Sequence, residues 1–476
     1  QNDKALKAAK LWVELDPENI EARQLATAMY IRNGQPDEAL VHIEKILSSA
    51  ESKTENGFMV VSALLSREKD KRAALEVMQQ FVDKRQENPD AWYAYGHLAM
   101  RLGELKTAEE AIDKALELRP EWNEAIVQKA RILNAQGRTA ETLEYLRKSI
   151  EASPKSIEFR IVYARMLADE DRLDEAYTQF KLLNELQPGN EDALFALGFL
   201  ALQLNYLDEA ETYLKELKDK GSRGYEINYY LGRLEEERNN DDDAIAWYKT
   251  ISDGEHYMNA QIRIIVITAA NGDLVGARAH IDALKVQRPG QKLRLYLVEG
   301  EILVDQEKYT ATMDVYKRAL EDFPDNSDLL YARAMVAEKL DQLDVMEQDL
   351  RQVLSRDPNN AEALNALGYT LADRTDRYDE ALVLINRALE LRPDDFYIVD
   401  SMGWLQYRLG NYDAAVKYLR RAMDIKMDME VAAHLGEVLW VMGDRQSART
   451  VWQKALDADP KAKKKIILEV MERLDR

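Results

Sequence analysis

A chain of 476 residues with a net charge of −21 and a pI near 4.9 repels phosphate backbones, which excludes nucleic acid as an expected partner. It has no cysteine, so disulfides, thiolate nucleophiles and zinc–thiolate sites are excluded together. No run of 18 apolar residues is present to span a membrane, and 32% charged residues suit the outer faces of many amphipathic helices.

Gln1–Asp16 reads as the second helix of a repeat whose first helix is missing. The sequence is therefore expected to be a piece of a longer chain, with any targeting segment upstream. After this leading half-repeat (1–19), Tyr30, Gly34 and Ala39 mark a weak unit, and Phe58, Val61, Leu65 and Ala74 another. From there a strict grid begins. Ala74, Ala108, Ala176, Ala210 and Ala244 are spaced by multiples of 34, with Thr142 in the remaining slot. Pro120, Pro154 and Pro188 share the period, as do Gly103 and Gly137. The segment from Pro89 to Trp122 is the fullest unit, with Trp92, Tyr95, Gly96, Ala99, Gly103, Ala108, Ile112, Ala115 and Pro120. Beyond Tyr257 the grid slips by a residue or so. It resumes through Gly272 and Ala277, Gly300 and Tyr316, Ala334 and Leu350, Gly368 and Ala381, and Gly403 and Ala415, to Gly436, Ala448 and Pro460.

A 34-residue period with small residues at fixed places is similar to tetratricopeptide repeats, in which each helix–turn–helix buries its apolar face only against its neighbours. The expectation is an all-α solenoid over 1–460, a right-handed superhelix of about thirteen helix pairs. Residues 461–476 are expected to form a capping helix, with Ile466, Ile467, Val470, Met471 and Leu474 at helical spacing after Lys461 and Lys463–Lys465. A soft joint is expected at 219–224, where two glycines flank Ser222 and Arg223, and the turn from Ser252 to Tyr257 is also irregular.

No catalytic constellation is found: the sequence lacks a phosphate-binding G-x-x-x-x-G-K-[ST], an H-E-x-x-H and a G-x-S-x-G. Neither catalytic nor metal nor cofactor residues are expected. The five histidines (His42, His97, His256, His280, His434) include no i, i+4 pair. His97 and His434 lie on first helices, where a hydrogen-bonding role is expected. Asp241–Asp243 lack the glycine and glutamate of a calcium loop and read as a helix N-terminus.

The concave face should hold protein partners. First-helix groove positions carry Phe195, Phe199 and Leu202, then Tyr229 and Arg233. A second cluster comprises Tyr369, Tyr397, Trp404, Tyr407, Arg408 and Trp440. Tyrosine and tryptophan anchor protein interfaces. The Lys/Asn pair that clamps terminal carboxylates is absent. Its slots hold Tyr93/His97, Val127/Arg131, Ile161/Arg165 and Phe195/Phe199.

The C-terminal quarter is more specific. It reads GYTLADRTDRYDEALVLINRALELRPDDFYIVDSMGWLQYRLGNYDAAVKYLRRAM, then HLGEVLWVMGD and VWQKAL. Over about Ala361–Pro460 this resembles a family of tetratricopeptide outer-membrane lipoproteins of Gram-negative bacteria that partner carboxyl-terminal processing proteases. The resemblance implies an adaptor in the periplasm that holds the protease and presents peptidoglycan hydrolases as substrates. It also implies an N-terminal lipid anchor, whose cysteine this sequence does not contain. A general cell-envelope assembly scaffold, for pili, lipopolysaccharide or outer-membrane proteins, is the alternative.

Overall fold

A computed structural model describes residues 2–48, 57–458 and 464–475. Pro460, Lys461 and Lys463 lie outside the described residues. Among the described residues there are 28 α-helices, numbered α1 to α28 in chain order, and no strand. A single helix, α1 (Asn2–Leu15), precedes thirteen pairs. These run from α2 (Ile20–Arg32) with α3 (Pro36–Ser48) to α26 (Met429–Val441) with α27 (Arg445–Ala458). The last helix, α28 (Lys465–Asp475), packs on α26.

The pair α6 (Pro89–Leu102) and α7 (Leu105–Leu118) shows why these residues fold this way. The Asn88 side chain caps α6 by accepting from the Asp90 and Ala91 amides, and Pro89 opens the helix where no amide is needed. Gly103 ends it at φ 86°, a left-handed turn natural to glycine. Gly96 lies where a Cβ would stand 2.7 Å from the Ile112 side chain, so the missing side chain is what lets α7 approach. The same device recurs at Gly403 against Leu419 and at Gly436 against Trp452.

The alanine grid is the buried seam. Ala74, Ala108, Ala176, Ala210 and Ala244 are all fully buried. Thr142 keeps the slot by donating its hydroxyl to the Arg138 carbonyl at 2.9 Å, so its polar atom is satisfied inside the core. The turn slot is periodic too: Gly103, Gly137, Asp171, Asn205 and Asn239 all have positive φ. Asn and Asp are the non-glycine residues that tolerate this conformation best.

The chain divides into two compact units, Gln1–Tyr257 and Met258–Arg476. The division falls at the end of the irregular turn 252–257. The glycine-flanked segment 219–224 lies inside the first unit, where Arg223 and the flanking Gly221 and Gly224 have positive φ. In the second unit, Glu299 is 1% exposed and is held by Lys285 Nζ at 2.6 Å and Arg278 Nε at 3.0 Å, so its buried charge is paired.

Candidate protein-binding clefts

In the first unit the site is built by α12 (Glu191–Gln203) and α14 (Gly224–Glu237). Asn190 caps α12 by accepting from the Ala193 amide. The helix then buries Leu194, Leu197 and Gly198, which leaves Phe195, Phe199 and Leu202 half-exposed on its other side. Both phenyl rings meet Tyr230 edge-on, at 5.5 and 5.7 Å between centroids. The Arg223 guanidinium lies 4.2 Å from the Phe195 ring centre and pairs with Asp192 at 2.7 Å. One cleft of about 530 Å³ is lined by Phe199, Leu202, Tyr230, Arg233 and Glu237. A neighbouring cleft of about 550 Å³ is lined by Arg165, Phe195, Phe199 and Arg223 among others. Phe199 belongs to both.

Tyr229 lines neither cleft. Its ring stacks on His256 at 4.8 Å and 21° and lies 5.7 Å from Tyr248. On earlier first helices, Arg101, Arg131 and Arg165 are exposed and make no ion pair among the described residues. His97 accordingly titrates below its usual value, first because burial disfavours its charge and then because Arg101 and Arg131 repel a further proton. Its Nδ1 lies 3.3 Å from the Ser62 hydroxyl.

In the second unit a cleft of about 530 Å³ is formed by α20 (Ser327–Lys339), α22 (Ala361–Arg374), α24 (Phe396–Arg408) and α26. Tyr331, Asn365, Tyr369 and Tyr397 line it together with Glu362, Asp395, Asp400 and Glu430, against a single cation, Arg392. Tyr397 is 52% exposed. Arg392 is held by Glu362 at 2.9 Å, and Asp395 is spent on capping α24. Asp400 is buried and meets His434 Nδ1 at 2.9 Å. Burial opposes charge on His434, but Asp400, then Glu430 and Glu437, outweigh it and hold the imidazolium above its usual pKa. Tyr369 Oη stands 3.5 Å from His434 Nε2, and burial raises the tyrosine's pKa.

The remaining members of the expected second cluster do not line this cleft. Trp404 is only 7% exposed: its ring stacks on His434 at 4.2 Å and its Nε1 donates to Asp373 Oδ1 at 2.9 Å. Arg408 donates to the Asp373 carbonyl and, at 3.1 Å, to the Tyr378 hydroxyl. These two side chains therefore strut the turn between α22 and α23 (Tyr378–Leu391). Tyr407 is half-buried between Trp404 and Tyr412 and donates to Glu437 at 3.3 Å. Trp440 packs 5.8 Å from the core Trp452, flanked by Arg445 and Arg449. Tyr230, Tyr331, Asn365, Asp400 and Glu430 were not singled out by sequence. Tyr331 and Asn365 occupy the same 34-residue slot as Phe195 and Tyr229, and that register would have found them.

Asp241–Asp243 form the first turn of α15 (Asp241–Lys249), and no cluster of metal-ligating residues occurs among the described residues.

Models of tetratricopeptide repeats match residues 195–255, 327–360, 350–383 and 399–433. The middle TPR-like domain of cilia and flagella-associated protein 70 matches 66–159. The TPR repeat-containing protein PA4667 of Pseudomonas aeruginosa is 44% identical over 190 residues, 40% of this chain and 32% of that one. Human protein O-mannosyl-transferase TMTC1 is 25% identical over 182 residues, 37% of this chain and 20% of that one. The chain thus spans a third or less of the length of these relatives. Yeast Tom70 superposes with a TM-score of 0.43 at 16% identity, covering 89% of this chain and 96% of that one. Helix pairs laid down on a 34-residue period, and matched by repeat models in both units, make the chain a tetratricopeptide-repeat protein.

Proposed function

We propose that the chain is a non-catalytic protein-binding scaffold. Its role would be that of an adaptor resembling LbcA, which binds a periplasmic carboxyl-terminal processing protease and delivers peptidoglycan hydrolases to it. The observation that carries the reading is the presence of two kinds of cleft. The first unit offers phenylalanine walls with arginine at the rim, and the second offers tyrosine walls with carboxylates. Two recognition chemistries on one chain suit an adaptor that holds two different proteins. Many such hydrolases are basic, which a scaffold of net charge −21 attracts. In this reading the protein works in the periplasm, tethered to the outer membrane by a lipid carried on sequence upstream.

The scaffold accelerates cleavage by raising the effective concentration of enzyme and substrate, with no group of its own in the chemistry. Reconstitution tests this: the processing protease and a hydrolase are incubated with and without the chain. Faster cleavage with the chain present is the expected result, and equal rates would rule the adaptor out. Pull-down from envelope extract separates the alternative, since recovery of pilus, lipopolysaccharide or outer-membrane assembly components without a protease would favour an assembly scaffold.

A further inference from the structure

The cleft of the second unit pairs aromatic walls with carboxylates whose partners are unequally assigned. Glu362 is matched by Arg392, Asp395 by helix amides and Asp400 by His434. Glu430, in the first turn of α26, is exposed at the cleft and makes no ion pair or side-chain hydrogen bond among the described residues, although the charges of His434 and Lys339 act on it from a distance. Asn365 lines the same cleft, and its Oδ1 is buried without a hydrogen-bond donor. The amide oxygen of Asn365 is buried without a donor, whereas the Glu430 carboxylate is exposed and open to an incoming charge. Tyr331, Tyr369 and Tyr397 add π faces, which favour a cation over a neutral group.

We propose that this cleft receives the arginine or lysine side chain of an extended basic segment in a partner protein. Glu430 is the counter-ion, Asn365 forms part of the polar wall, and the tyrosines flank the aliphatic stem and the charged head. This rests on the protein-binding reading above and names the chemistry of one partner. Glu430 already titrates above the usual carboxylate range, because surrounding protein desolvates it and Asp400 and Asp428 add like charge, with His434 and Lys339 opposing them. A guanidinium fits the Glu430 carboxylate better than an ammonium, since its planar fork donates to both carboxylate oxygens at once.

The probe is a fluorescein-labelled nine-residue Gly/Ser peptide with three arginines at alternate positions, titrated into the full chain by fluorescence anisotropy. Comparison peptides carry lysine or uncharged citrulline in the same places. Glu430→Gln should weaken the arginine peptide by about tenfold, and Tyr397→Ala by several-fold. Asp379→Asn, the same charge change at an exposed site outside the cleft, should leave it within about twofold. Circular dichroism on the same samples checks that each variant is folded. Citrulline binding as tightly as arginine, Glu430→Gln matching Asp379→Asn, or no saturable binding of the arginine peptide would each overturn the proposal. Loss of protease stimulation with peptide binding intact would instead sink the adaptor role and leave the cation site standing.

Discussion

The aromatic side chains of the two units do different work. In the first unit, Phe195 and Phe199 carry no polar atom; both lean on Tyr230, Phe195 also lies under Arg223, and they present their remaining surface to clefts. In the second, Trp404 is consumed by the fold: its ring covers His434, its Nε1 holds Asp373, and little of it reaches solvent. The difference follows from what lies next to each residue. An indole with a polar edge beside a turn that needs holding is worth more as a strut than as an anchor, whereas a phenyl ring has no polar edge with which to tie anything down. Residue type at a groove position therefore does not by itself announce an interface. The neighbours' unmet hydrogen bonds decide.

The largest expected effect tests the strut. Trp404→Ala should cost about 3 kcal/mol of stability in chemical denaturation, because it removes a buried ring and leaves Asp373 without its donor. Once folded, it should bind a second-unit partner normally; weakened binding there without loss of stability would reverse the assignment. Phe199→Ala makes the opposite case. Shared by both first-unit clefts, it should weaken partner binding by ~30-fold in calorimetry while leaving helicity unchanged.

A smaller effect concerns pH. His434 binds its proton more tightly folded than unfolded, since its pKa is raised above 6.5. Its contribution to stability is thus complete below pH 6.5 and is lost as pH rises through the elevated folded value. The groups facing it are Asp400, Glu430, Glu437 and Tyr369. Denaturation series from about pH 6 to pH 9 should show stability falling across this range, with a shallower fall in His434→Gln. Equal slopes would mean that His434 stays neutral. The smallest effect is expected at the first unit's rim, where Arg165→Ala should lower partner affinity by less than about 1 kcal/mol and only at low salt.

Much of the architecture could be read from the sequence because the constraints repeat. Alanine at the seam and proline on the same 34-residue period are local rules that recur along much of the chain. The turn slot was only half visible. Gly103 and Gly137 announce it, but Asp171, Asn205 and Asn239 fill the same left-handed conformation with residues that look like ordinary surface. The candidate sites were harder to read. Phe195, Phe199, Leu202, Arg233, Tyr369 and Tyr397 do line clefts. Glu430 and Asn365 are unremarkable in a chain this acidic, and only the three-dimensional absence of partners sets them apart. Trp404 and Arg408 misled because their true partner, Asp373, lies 31 and 35 residues away on a neighbouring repeat.

The strutted turn at Asp373–Tyr378 also bears on how such a chain can change its length. Gly368 and Ala381 stand 13 positions apart, where Gly403 and Ala415 stand 12 apart, and this extra residue is absorbed where it arises. The helices on either side keep their neighbours, and Ala381 returns to full burial immediately afterwards. In a sheet, a one-residue insertion would reverse the facing of every side chain that follows. A solenoid quarantines the error, because each repeat answers only to the next. Insertions become a tolerated currency of divergence, provided that a neighbouring repeat can lend a side chain to hold the slack.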